Sequence, residues 1–293
     1  MSITGVSSVG RMALIDALKA IGSQFIVLHH LAFYGPMSDW TQRMLPDLID
    51  WLSQDARMAV QIFLVVGGFL AARSLAPQGV LVTPQPLLLL RKRYLRTAAP
   101  YLAALLLSLL CTELARYWMN HDSLPERAEL GQFLAHALLL HSLLGVDSIS
   151  AGVWYVAIDF QLFALLLGLL WLARALNGRL ALSATLLLLG VILSLYGFNL
   201  DSYWDIWALY FLGSYGLGAL TYWATQPHHG FKGLGWLLLL ALLVLGALAL
   251  EFRERIALAL MVALLLGAAQ QGQWLQRWPQ GRVWAYFGQI SYS

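Results

Sequence analysis

Long apolar runs set the plan of the chain. Taking about 20 mostly apolar residues as the length that crosses a bilayer, candidate spans fall at roughly 12–34, 57–76, 97–118, 153–174, 180–199, 204–224, 233–250 and 255–271. A shorter apolar segment, 132–145, reads equally as a short span or as a re-entrant or interfacial piece. Another opens at 283 and runs to 293. In hydrocarbon each span must satisfy its own backbone hydrogen bonds, which for runs of this length means helices. The expected fold is therefore all-α: a polytopic transmembrane helix bundle of about 9–10 spans, the last apparently truncated. No repeat or soluble module interrupts it, so residues 1–293 are expected to form one integral membrane domain.

Polar positions inside these runs carry the information about chemistry. In the first span, Asp16, Lys19, Ser23 and His30 recur at helical spacing with Ile26 filling the gap, which makes one polar stripe on an apolar helix. Lys19 and His30 are close to three whole turns apart, roughly 16 Å along the axis, so they share a face at two depths. His29 points about 100° away, to the side of Gly22 and Phe25. Asp16 and Lys19 can be an interfacial ion pair and His30 a carbonyl-bonded histidine, yet charged groups in a span usually face a cavity or a partner. The fourth candidate span, VWYVAIDFQLF, carries Asp159 and Gln161, with Tyr155 one turn before the carboxylate. Asp159 needs a partner, and His30, Lys19 or an arginine are the choices. Paired with His30 it forms the simplest acid/base couple in the chain.

Composition excludes the water-soluble classes. Sixty per cent hydrophobic residues, 11% charged, and a mean hydropathy of +0.69 leave too little polar surface for a soluble domain of this size. A net charge of +3, concentrated in a few places, speaks of topology and not of a nucleic-acid surface. The one cysteine, Cys111, excludes an internal disulfide framework and reads as a packed thiol among apolar neighbours. The N-terminal MSITGVSSVGRM lacks the basic region and short apolar core of a cleaved signal, so the first span is expected to be retained.

Charge placement orients the bundle. Arg73, Arg91, Lys92, Arg93 and Arg96 lie between the second and third spans with no carboxylate among them, which puts that connection and the N-terminus in the cytoplasm. The acidic connections on either side, with Asp39, Asp47, Asp50 and Asp55 and with Glu113, Asp122, Glu126 and Glu129, then face outward. Arg174 and Arg179 prefer the cytoplasm as well, which holds if 132–145 does not fully cross. Arg93 and Arg96, neighbours on a helix, serve as topological anchors or as a bidentate phosphate site. Gly67 and Gly68 in the second span, and Ser214 with Gly218 later, suit close helix packing. His136 and His141 are five apart and are expected on different faces; His121, His228 and His229 fall in loops. No Cys/His spacing suggests a metal. The Glu251, Arg253, Glu254, Arg255 loop reads as self-compensating.

Several of these stretches together resemble the acyltransferase 3 family of integral membrane acyltransferases, which O-acylate bacterial cell-surface glycans. LIDALKAIGSQFIVLHH resembles the family's opening segment through Asp16, Lys19 and His30, and FLVVGGFL its second-span Ser-Gly-Phe-Leu signature at Gly68, Phe69 and Leu70. RKRYLRTAAPY is similar to the basic start of the third span, with Arg93, Arg96 and Pro100; WYVAIDFQLF is similar to the Trp-Ser-Leu-x-x-Glu segment, with Trp154 and Asp159. FGQISYS looks like the start of the last segment. Lys19 stands where arginine is commoner, Gly67 replaces the signature serine, and Asp159 replaces glutamate.

The resemblance implies transfer of an acyl group, commonly acetyl, from a cytosolic acyl-CoA to a hydroxyl of an extracytoplasmic polysaccharide or glycolipid, in a bacterial plasma membrane. Acetyl-CoA would be a donor substrate, with no permanently bound cofactor; membrane lipid and the glycan would be the other partners. On this reading His30 and Asp159 are catalytic, His30 as general base or transient acyl carrier. Lys19, Arg93 and Arg96 bind the donor, and Asp16, Trp154 and Tyr155 support them. The rivals are a transporter or flippase of a lipid-linked sugar, which lacks support from any internal repeat, and a catalytically weakened scaffold of an envelope assembly complex.

Overall fold

In the computed structural model, residues 11–34, 36–118, 124, 126–227 and 231–291 are described, and they form helices and connections without a strand. The first helix, α1 (Ala13–Phe33), is followed by two short ones, α2 (Pro36–Gln42) and α3 (Pro46–Gln54), the latter opened by a proline whose missing N–H costs nothing at a first turn. Then come α4 (Val60–Leu75), α5 (Pro86–Trp118), α6 (Leu130–Ala137), α7 (Val153–Ala175), α8 (Leu180–Tyr196), α9 (Ala208–Ala224), α10 (Phe231–Leu250), α11 (Glu254–Gln271) and α12 (Arg282–Ile290). The eight long helices match the eight candidate spans. Among the described residues, six stretches are long and apolar enough to cross a membrane: Ala56–Leu75, Pro86–Trp118, Val153–Ala175, Leu180–Leu200, Lys232–Leu250 and Glu254–Gln271. The polar stripe keeps α1 out of that set, and α9 is 17 residues long.

The segment 132–145 contains only the eight-residue α6, after which Leu139 takes a positive φ of 58° and the chain turns through Gly145. Eight residues rise about 12 Å, far short of a bilayer. The turn also overrides the expectation that His136 and His141 face apart. That expectation assumed a continuing helix; because α6 stops at Ala137, the two rings stack at 4.0 Å with planes 3° apart. His121, Asp122, His228, His229 and Tyr292 lie outside the described residues. Cys111 is exposed on α5, and so is not the packed thiol expected: α5 packs chiefly on α7 and leaves its Leu107, Leu110 and Leu114 side uncovered.

The centre of the bundle is α9, buried along almost its whole length and packed against α4, α7, α8, α10 and α11. Its contact with α4 is backbone on backbone. A Cβ added at Gly68 would lie 1.8 Å from the Tyr215 carbonyl oxygen, and one at Gly218 would lie 1.9 Å from that of Val65. Small residues allow this approach, which supplies dispersion contacts that lipid cannot match. Where both helices end, Trp223 donates its indole N–H to the Ala76 carbonyl at 2.8 Å. On the far side of α4, α1 packs against α3, α4 and α12. Its direction is opposite to α4, since Met12 lies beside Arg73 and Gly22 beside Phe63. α7 runs with α4, pairing Phe63 with Tyr155 and Gly67 with Asp159.

Candidate active site

Along α1 the stripe Asp16, Lys19, Ser23, Ile26 and His30 is half-buried at every position, neither packed away nor fully exposed. At its lower end Arg11 donates to Asp16 at 2.7 Å, and Lys19 Nζ donates to the Gly288 carbonyl at 2.9 Å. The contact is close because Gly288 has no Cβ; an added one would stand 2.7 Å from Asp16 backbone. Ser23 Oγ donates to Ala20 O at 2.9 Å. At the upper end the two histidines differ. His29 is buried, with Nδ1 3.0 Å from the Leu52 carbonyl, and its ring helps to seat α3. His30 is half-buried, 5.9 Å ring to ring from Tyr34, and its Nδ1 has no hydrogen-bond partner among the described residues.

A second cluster forms where α4, α5, α7 and α9 meet. Asp159 is 7% exposed and accepts from Arg93 Nη2 in a part-buried ion pair. One turn on, the Phe163 ring lies 5.3 Å from the same guanidinium, so Arg93 lies along one face of α7. Gly67 adjoins the carboxylate: a Cβ there would sit 3.4 Å from Asp159 Oδ1 and 3.2 Å from the Tyr215 ring. Tyr155 meets Phe63 at 6.0 Å and Trp154 meets Phe211 at 5.7 Å. Arg96, one turn above Arg93, is exposed. Its carbonyl lacks the usual donor four residues on, because that residue is Pro100.

Of the three partners open to Asp159, the structure supplies the arginine. Phe63 touches both Gly22 and Tyr155, which levels α1 with α7. His30 is eight residues from that level toward the end where α1 finishes and Asp159 four residues the other way, about 18 Å apart along the bundle axis at 1.5 Å per residue. Lys19 is three residues toward the start of α1, within about 2 Å of the level of Asp159. The stripe and the Arg93–Asp159 pair are therefore two clusters on two helices, α1 and α7, that both meet Phe63 of α4.

The family model described as an acyltransferase domain, acyltransferase 3, matches residues 12–293. The chain belongs to the acyltransferase 3 family. No curated protein and no solved structure matches it. Family membership makes it a membrane acyltransferase, and the match takes in both clusters: α1 from its first residue and the α4, α5 and α7 positions around Asp159.

Two polar groups in this acyltransferase escaped sequence reasoning. His136 and His141 are 0% and 1% exposed. His136 Nδ1 contacts the Gln132 carbonyl at 2.8 Å and its Nε2 accepts from Ile149 N–H at 3.2 Å, which fixes a neutral ring. Neither ring nitrogen of His141 has a partner among the described residues, and burial, with His136 alongside, pushes its pKa down to about 4. Arg253 is the other. It is 7% exposed and its guanidinium donates to the carbonyls of Leu195, Ala247 and Glu251 and to Asn199 Oδ1, at 3.0–3.2 Å. Charge counting along the loop could not reveal it, because its partners are uncharged oxygens, two of them, Leu195 O and Asn199 Oδ1, remote in sequence. Among the described residues no group of three or more His, Cys, Asp or Glu could hold a metal.

Proposed function

We propose that this family member transfers an acyl group, acetyl in the simplest case, from a cytosolic acyl-CoA to a hydroxyl of an extracytoplasmic polysaccharide or glycolipid, in the plasma membrane of a bacterium. The observation that carries this reading is the unbroken half-buried stripe on α1, which ends in a histidine with an uncommitted ring nitrogen. With the N-terminus and the basic 73–96 connection cytoplasmic, Lys19 lies toward the donor side and His30 toward the acceptor side. A neutral imidazole can take the proton of an attacking hydroxyl near neutral pH, or carry the acyl group in two steps.

The basic residues divide the donor side. Arg96 is exposed and free to approach a donor phosphate, while Arg93 acts through Asp159 by holding α5 against α7. Lys19, fixed by Gly288, keeps its cation on the half-buried stripe. Trp154 and Tyr155 pack the outer end of α7 against α9 and α4 and thereby set the position of Asp159. The test is to incubate the protein, in membranes containing a glycan acceptor, with radiolabelled acetyl-CoA. Label in the glycan is expected; movement of lipid-linked sugar without acyl transfer would instead identify a transporter.

A further inference from the structure

The end of the bundle at which α1 finishes holds a second concentration of cations. Arg57 precedes α4 in the short 3-10 turn Ala56–Ala59, which packs against the start of α11, where Arg255 lies. The Arg255 guanidinium sits 4.7 Å over the Tyr210 ring and donates to the Asn199 carbonyl at 3.2 Å. Arg253 is committed to four acceptors beneath it. Arg57, Arg253, Arg255 and the carboxylate Asp205 surround the Tyr210 hydroxyl, and Glu251 lies beside Arg253.

What this cluster lacks is an acceptor. Tyr210 is 2% exposed, and its hydroxyl has no hydrogen-bond partner among the described residues. The same holds for Arg255 Nε, which can only donate. Buried donors without acceptors are costly. Arg57 is exposed and Arg255 half-exposed, so the cluster opens to the surface. Arg255 is held by one hydrogen bond and a ring face, which makes it the part free to lift.

We propose that Arg57, Arg255 and Tyr210 form a binding site for a phosphate oxyanion at this face. A phosphate oxygen entering between the two guanidiniums draws Arg255 from the ring and accepts from the Tyr210 hydroxyl beneath. The guanidinium forks supply bidentate, charge-assisted donors. The proposal rests on the orientation given above only for which side of the membrane the phosphate comes from. Its chemistry is independent of acyl transfer.

The experiment is thermal unfolding of the full chain in neutral detergent, at constant ionic strength, with inorganic pyrophosphate, and in nanodiscs of phosphatidylglycerol against phosphatidylcholine. A saturable rise in Tm with pyrophosphate supports the site and identifies a soluble phosphate as sufficient. A rise confined to phosphatidylglycerol supports it with a lipid headgroup as the source. In either case Arg255→Gln and Arg57→Gln each weaken binding about tenfold, as loss of a charged hydrogen bond does. Tyr210→Phe keeps the ring beneath Arg255 and does not lower the Tm of the unliganded protein, yet weakens binding several-fold. A purely structural Tyr210 would not separate the two readouts. No rise with either probe, or a rise that Tyr210→Phe and Arg255→Gln both retain, overturns the proposal. No acyl donor is present, so failure here leaves the acyl-transfer reading untouched, and loss of acyl transfer would leave this site standing.

Discussion

Asp159 and Arg93 illustrate what one buried charge demands of its neighbours. Removing one partner leaves the other ion poorly solvated, whereas removing both leaves a space that apolar groups can fill. Asp159→Asn is therefore expected to cost on the order of 3 kcal/mol, read as a lower Tm in detergent. The double change Arg93→Met with Asp159→Leu should recover most of that loss. If the double variant is stable and still transfers acyl groups, the pair is only a clamp. His141 gives a prediction about pH. Its folded pKa of about 4 lies below the unfolded value near 6.5, so the unfolded chain binds the extra proton between them. The neutral native ring thus contributes no penalty above pH 6.5, and stability falls as pH drops from there toward 4. His141→Leu gives up no hydrogen bond with a described residue, so its Tm should match the parent at pH 7.5 and exceed it at pH 4.5. Parallel Tm profiles across that range would contradict the assignment.

At the scale of elements, the crossing of α4 and α9 depends on two glycines and not on the one between them and the carboxylate. Gly68→Ala or Gly218→Ala forces backbone apart and should destabilise by about 1–3 kcal/mol or more. Gly67→Ala meets a Tyr215 ring edge at 3.2 Å, a few tenths of an ångström inside ordinary contact, and a carboxylate oxygen at 3.4 Å, so it needs only a small side-chain shift and should cost less than that. Gly67→Ser would place a hydroxyl within reach of Asp159 and should be tolerated as well. Equal losses of Tm at Gly67 and Gly68 would show that the crossing is not as close as described. The helices themselves were legible in the sequence, because a bilayer leaves a long apolar run few alternatives. Which face of α7 met which neighbour was not. Spacing along one helix fixes the mutual angle of its side chains but says nothing of how the next helix is rotated, so Asp159 stayed open between His30, Lys19 and an arginine. The stacked His136 and His141 were hidden for a related reason, since the face argument fails where the helix stops. Arg253 was hidden because helix-end carbonyls carry no mark in the sequence.

For the molecule as a whole, the layout is a buried α9 ringed by other spans, with the α1 stripe and the Arg93–Asp159 pair on two helices that both meet Phe63 of α4. The stripe was legible as a periodic pattern; its separation from Asp159 emerged only when Phe63 levelled α1 with α7. On the proposed reading, acyl transfer across the membrane places its greatest demand on His30, the polar residue of the stripe nearest the proposed acceptor side. The decisive measurement compares the parent and His30→Ala, matched for amount in the membrane and for Tm, in transfer of label from acetyl-CoA to the glycan. Loss of a general base costs about 10²- to 10⁴-fold, so His30→Ala should fall at least about a hundredfold while His29→Ala, with matched Tm, retains transfer. Turnover by His30→Ala near that of the parent would contradict the account.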